Sequence, residues 1–172
     1  MASILNVDQI NNAAGTSAVT IDSSGNVNIP GHVVQVVREF VSDSSIISVS
    51  STSLTASGII ASITPLKNNS VILVDFSSSM ADGVSTALQA RMYYKIGSGS
   101  YGSFESGSFY QMGYNAGPST NRYSPIVFSG KITATSTSTL SFQPYISSVS
   151  GGVARLVHND TSYALTLMEI AQ

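Results

Sequence analysis

Apolar and polar residues alternate with a period of two along most of this chain. In "ALQARMYYKI", Leu88, Ala90, Met92, Tyr94 and Ile96 fall on one face and Gln89, Arg91, Tyr93 and Lys95 on the other. That is the pattern of a strand with one face buried. Similar runs recur at "HVVQVVREFV", "GIIASITP", "SVILVDF", "SPIVFSGKITAT", "TLSFQPYI", "VARLV" and "YALTLMEIA", separated by Ser, Gly, Asn, Asp and Pro clusters that mark turns. No segment repeats its apolar residues at helical spacing. The pattern predicts an all-β protein, an antiparallel sandwich of the jelly-roll type.

Two of the runs are apolar on both faces. "SVILVDF" places Val71, Leu73 and Asp75 opposite Ile72, Val74 and Phe76, and "YALTLMEIA" places Tyr163, Leu165 and Leu167 opposite Ala164, Met168 and Ile170. One face of a sandwich strand meets the core, so the other needs cover, most simply from further copies of the chain. An oligomer is therefore expected, with Val71, Leu73, Tyr163, Leu165 and Leu167 at the interface. Glu169 is expected at its rim or paired with Arg91 or Arg155, because an unpaired buried carboxylate is costly.

Residues 1–31 differ from the rest. Ile4, Leu5, Val7 and Ile10, then Val19, Ile21, Val27 and Ile29, are short apolar pulses broken by "NNAAG", "DSSG" and Pro30–Gly31. They are too sparse for a core of their own and read as an extended arm, with Ile4, Leu5, Val7 and Ile10 as its attachment residues. The segment from Asp22 to Asn26 reads as a hairpin turn in which Gly25 supplies the positive φ. Its Asp22, Ser24, Asn26 spacing resembles a calcium loop, but Val27 stands where glycine is required and Val33 where a glutamate should close the site. Residues 32–172 are then long enough for one β domain.

Composition narrows the partners. Of the 172 residues 9% are charged, the formal net charge is −2, and Ser and Thr make up about a quarter of the chain. Such a hydroxyl-rich, nearly neutral surface offers no basic footprint for nucleic acid or an anionic membrane. There is no cysteine, which excludes disulfides and thiolate metal sites. The start lacks a basic stretch followed by an apolar one, and no apolar run reaches the roughly 20 residues of a membrane helix. The expectation is a soluble protein made in a cytoplasm and not exported by the usual route, on which "NNS" at Asn68 and "NDT" at Asn159 carry no glycan.

Candidate chemistry is thin. "YKIGSGSYGSF" contains G-x-G-x-x-G at Gly97, Gly99 and Gly102, but no helix pattern follows and Lys95 precedes the glycines, so the phosphate-cradling geometry is missing and a loop between strands is expected. His158 in "HNDT" reads as a turn residue, no G-x-S-x-G elbow exists, and Glu39, Glu105 and Glu169 have no context that marks a carboxylate pair. The chain reads as a non-enzyme with no cofactor or metal. Between Ile96 and Ser124 it instead interleaves aromatic rings with Gly, Ser and amides. Tyr101, Phe104, Tyr114, Asn121, Arg122 and Tyr123 are the candidate receptor contacts, because tyrosine gives a flat apolar face with a hydroxyl at its edge.

The opening "ASILNVDQINNAAGTSAVTIDSSGNV", the segment "SLTASGIIASITPLKNNSVILV" and the ending "ALTLMEIA" resemble the short fibre and appendage proteins in virions of tailed phages, particularly marine and cyanobacterial ones. The resemblance implies an N-terminal attachment or stalk segment and a head similar to the trimeric jelly roll of the complement-component and tumour-necrosis-factor type. It implies a homotrimer made in the host cytoplasm and built into the virion. Its partners would be other virion proteins, at the tail, baseplate or capsid, through residues 2–31, and a glycan or receptor on the host surface through the head. A capsid decoration protein with no receptor role and, behind it, a polysaccharide depolymerase are the alternatives.

Overall fold

The computed structural model describes residues 7–21, 23, 25, 27–41, 46–82, 86–104, 110–112, 122–156 and 162–172. In chain order the strands are β1 (Gln9–Asn11), β2 (Ser17–Ile21), β3 (Val27–Asn28), β4 (Val33–Val41), β5 (Ile47–Val49), β6 (Thr55–Ala56), β7 (Ala61–Ile63) and β8 (Val71–Asp82). They continue as β9 (Leu88–Ile96), β10 (Gly102–Ser103), β11 (Tyr110–Met112), β12 (Arg122–Thr133), β13 (Leu140–Ser148), β14 (Ala154–Leu156) and β15 (Tyr163–Ile170). Each alternating run in the sequence is one of these strands. Every pairing is antiparallel.

The head is a jelly roll. In one sheet the long strands lie in the order β4-β15-β8, with β12 along the other side of β8, and β14 and β5 continue beside the far end of β8. In the other the order is β10-β9-β13-β6, with β11 beside β9 and β7 beside β13. The chain crosses between sheets at β5 to β6, β7 to β8, β8 to β9, β11 to β12, β12 to β13 and β13 to β14. Strands from opposite ends of the chain become neighbours, β4 with β15 and β6 with β13. This is the doubly wound Greek key of a jelly-roll sandwich.

The core lies between the inner faces of the two sheets, as the period-two pattern requires. The first sheet contributes Ile72, Val74, Phe76, Ile126, Phe128, Leu165 and Leu167, and the second Ile63, Leu88, Ala90, Met92, Leu140, Phe142 and Ile146. Phe104, just after β10, bridges the two layers. Its ring lies edge-on at 5.4 Å from Phe128 in one sheet and at 5.6 and 5.9 Å from Phe142 and Tyr94 in the other. Gly130 makes room for it, since a Cβ there would stand 2.5 Å from Cε1 of Phe104. Edge-to-face rings contribute about 0.5–1.5 kcal/mol per pair beyond the area they bury, so this aromatic bridge ties the two layers together.

The N-terminal segment forms its own antiparallel sheet, β1-β2-β3, so the expected extended β arm is here folded back on itself at two reversals. The physical reason is local. Gly15 at φ 81° and Gly25 at φ 83° each allow a reversal, and Asn12 closes the first one by accepting from the N–H groups of Ala14 and Thr16. The second reversal sits where the Asp22 to Asn26 turn is expected. The segment joins the head through paired backbone bonds: Gly31 N–H donates to Ala171 O at 2.8 Å and Ala171 N–H to His32 O at 2.9 Å.

Candidate assembly and binding surfaces

The outward side of the β4-β15-β8-β12 sheet carries exposed apolar residues on either side of a polar row. Register places Val36, Met168, Leu73 and Lys131 in one row, Arg38, Thr166, Asp75 and Ser129 in the next, and Phe40, Ala164, Ser77 and Val127 in a third. Val71 and Ile170 extend the apolar area at one end. Val36 is 56% exposed, Phe40 48% and Val127 58%, so this is open surface. The Arg38 guanidinium lies 4.7 Å from the Phe40 ring centroid and shields part of it.

Of the five expected interface residues, Val71 and Leu73 do point outward on this face. Leu165 and Leu167 do not. Both have no exposed surface and pack in the chain's own core against Val74 and Phe76, so they cannot line an intermolecular contact. Tyr163 shares their inward face and packs partly buried at the edge of the core. Burial pushes its phenol pKa up, and the Glu39 charge adds to this. Both faces of the strand are apolar, as read from the sequence, but the outer set is Ala164, Met168 and Ile170.

Glu169 is neither at a rim nor paired with Arg91 or Arg155. It is fully buried on the inward face of β15, next to Gln35 of β4. Its carboxylate accepts from the Leu66 N–H at 3.0 Å, the Lys67 N–H at 3.4 Å, the Gln35 side-chain amide and the Ser70 hydroxyl. Gln35 also donates to Thr64 O at 2.8 Å. The group therefore ties the loop between β7 and β8 to two strands of the first sheet. Burial pushes the carboxyl pKa up, but the bonds from Ser70, Leu66, Gln35 and Lys67 outweigh it and hold the group below the usual carboxylate range. Backbone N–H groups serve in place of a cation, an arrangement with no sequence signature. A cavity of about 590 Å³ opens beside it, bounded by Gly25, Val27 and Ile29 of the N-terminal segment and by His32, Leu66 and Lys67 of the head.

The G-x-G-x-x-G stretch is a turn, as expected. Gly97 has φ 53° and donates to Thr139 O, Gly99 donates to Ile96 O, and the chain returns so that Gly102 and Ser103 pair with Tyr94 and Tyr93. The return brings Tyr101 onto the outward face of the second sheet. There Tyr93 and Tyr145 stack with centroids 4.2 Å apart, Tyr101 lies 5.9 Å from Tyr145, and the Lys95 ammonium is 5.1 Å from the Tyr101 ring. Burial pushes the Tyr101 phenol up and the neighbouring Tyr145 adds to it, so the hydroxyl stays a donor at neutral pH.

The expected receptor contacts divide accordingly. Tyr101 belongs to this half-buried cluster. Phe104 does not, because it is the half-buried bridge between sheets. Tyr114 and Asn121 lie outside the described residues. Arg122 and Tyr123 open β12, where their backbones pair with Asp82 and Ala81. Tyr93 and Tyr145 were missed, although the outward position of Tyr93 follows from the alternation in "ALQARMYYKI". Of the expected attachment residues, Ile4 and Leu5 lie outside the described residues, Val7 is half-buried, and Ile10 on β1 is 52% exposed. Among the described residues no group of three His, Cys, Asp or Glu side chains comes together. His158, Asp22, Ser24 and Asn26 lie outside them.

No protein-family model matches the chain, and no curated protein matches it. Among solved structures it is similar to the structure of infectious bursal disease virus Gt strain, with 14% identity over 90% of this chain and 42% of that one and a TM-score of 0.38. It is also similar to the crystal structure of the infectious bursal disease virus VP2 subviral particle, with 15% identity over 98% of this chain and 51% of that one and a TM-score of 0.41. The chain thus spans about half the length of the chains it matches.

Proposed function

We propose that the protein is a structural component of a virus particle, a homotrimeric short fibre or appendage of a tailed phage. Residues 1–31 attach it to the particle, and the jelly-roll head contacts the host surface. The observation that carries this reading is the outward face of the β4-β15-β8-β12 sheet. Val36, Leu73 and Met168 form one row there and Phe40 and Val127 stand in another, with the polar row of Arg38, Thr166, Asp75 and Ser129 between them. Further copies of the same chain would cover the exposed Val36, Phe40 and Val127 side chains of both apolar rows. The separate β1-β2-β3 sheet, held to the head by few bonds, suits a segment whose partner is another protein of the particle. The resemblance of the opening and closing segments to phage fibre proteins points the same way.

Electron cryomicroscopy of purified particles tests the proposal. The expected result is three-fold density for the head at the tail or baseplate, lost when residues 1–31 are deleted. Density at capsid three-fold axes would replace the fibre by a decoration protein, and absence from the particle would overturn the proposal.

A further inference from the structure

We propose that the outward face of the second sheet, centred on Tyr93, Tyr145, Tyr101 and Lys95, binds an acidic polysaccharide through its uronic-acid units. The inference deepens the adhesion reading above and identifies the contact surface and its ligand class. Three phenol rings lie in one cluster, with Tyr145 between Tyr93 and Tyr101. Tyrosines of this kind offer C–H-binding ring faces together with hydroxyls that both donate and accept, the combination a pyranose needs.

A polar group beneath the rings is open to a ligand. Gln143 is the cross-strand partner of Tyr93 on the same outward face and is 4% exposed, yet among the described residues its side-chain amide has no hydrogen-bond partner. Its amide atoms are not fully enclosed, so water or a ligand can reach them and supply the bonds. Neighbouring polar groups on the same face are already matched, Ser147 donating to Gln89 Oε1 at 3.2 Å and Ser141 sharing a bond with Ser62 at 2.8 Å. The Gln143 amide is open to a further partner, and it lies beside the tyrosines.

Charge selects the sugar. Lys95 stands on this face beside Tyr101, and among the described residues no carboxylate does. Positive charge on an otherwise neutral protein, next to stacked rings, complements the carboxylate of a uronic acid and discriminates against a neutral hexose. The face is opposite to the apolar outer side of the first sheet, so trimer formation leaves it accessible. Three copies then act together on one repeating chain.

The test uses the purified full-length protein and isothermal titration with hexagalacturonate, with maltohexaose as the neutral control. Binding of the uronate and not of maltohexaose is expected. Tyr145→Ala should weaken it about tenfold, the size of one lost aromatic contact. Lys95→Gln should weaken it by a smaller factor and flatten its dependence on salt. Circular dichroism confirms that each variant is folded, and Gln143→Leu, which keeps the volume and removes the amide, repeats the test without deleting a ring. No binding of the uronate, equal binding of maltohexaose, or affinity unchanged in all three variants would overturn the inference. Because no particle is involved, the result is independent of where the protein sits on a virion: uronate binding by a chain absent from particles would refute the virion proposal and leave this one standing.

Discussion

Replacing Glu169 by alanine removes a side chain with no exposed surface and leaves the Leu66 and Lys67 N–H groups, the Ser70 hydroxyl and the Gln35 amide facing a void. A hydrogen bond to a charged group contributes about 1.5–3 kcal/mol, and each buried donor left unpaired costs about 1–3 kcal/mol. Simple addition would overshoot, because the adjoining cavity of about 590 Å³ admits water to some of these donors. A net loss of about 3–5 kcal/mol is therefore expected, the range found when one partner of a buried charged network is removed. At about 2–4 °C per kcal/mol for a chain of this size, the midpoint of thermal unfolding should fall by roughly 6–20 °C at fixed protein concentration.

The same group has a pH signature. Its folded pKa lies below the ordinary value, so its contribution is fully present above the unfolded pKa of about 4.3 and is lost as pH falls through the lowered folded value. Glu169→Gln preserves the shape but cannot titrate, and its NH₂ confronts donors. It should be less stable than the parent near neutral pH, with the difference shrinking as the pH drops below about 4. Urea unfolding at a series of pH values reads both effects. An alanine variant within about 0.5 kcal/mol of the parent, or a glutamine variant with the parent's acid slope, would refute the anchoring role of the carboxylate.

Gly130→Ala should destabilise the head by about 1–3 kcal/mol in urea unfolding, because the new Cβ meets Phe104 at 2.5 Å and that ring is held on its other sides by Tyr94, Phe128 and Phe142. Leu167→Ala should cost about 2–5 kcal/mol as a core cavity, visible as a lowered unfolding midpoint. Leu73→Asp, on the outward face, should leave each head folded by circular dichroism and dissociate the proposed trimer in sedimentation velocity. A chain starting at His32 should keep the β circular dichroism spectrum and the proposed trimer, losing only the proposed attachment to the particle; an unfolded product would show that the bonds of Gly31 to Ala171 are essential to the head.

Fold class was legible because burial of one strand face writes itself into the sequence as a period of two. The alternation through Leu88, Ala90, Met92 and Tyr94 reappears as the inner face of β9. Doubly apolar strands were equally legible, but which side faces the core was not. In β15 both sides carry large apolar residues, and only the cross-strand register with Val74 and Phe76 turns Leu165 and Leu167 inward. Short strands such as β5 and β6 were missed because two or three residues hold no periodicity. Glu169 illustrates a deeper limit. Its partners are backbone N–H groups about a hundred positions away, which no residue pattern advertises, so sequence reasoning supplied an arginine in their place. Phe104 looked like an exposed loop ring for a similar reason: the glycine that receives it, Gly130, lies on another strand in the opposite sheet.

The claim that the first sheet's outer face is a contact between copies is tested most directly by the mass of the purified protein in solution. Multi-angle light scattering at micromolar concentration should give three times the 17.9 kDa mass of one chain. A stable species of one chain mass under those conditions would contradict the account, since Val36, Leu73, Met168 and Val127 would then remain in water with nothing to cover them.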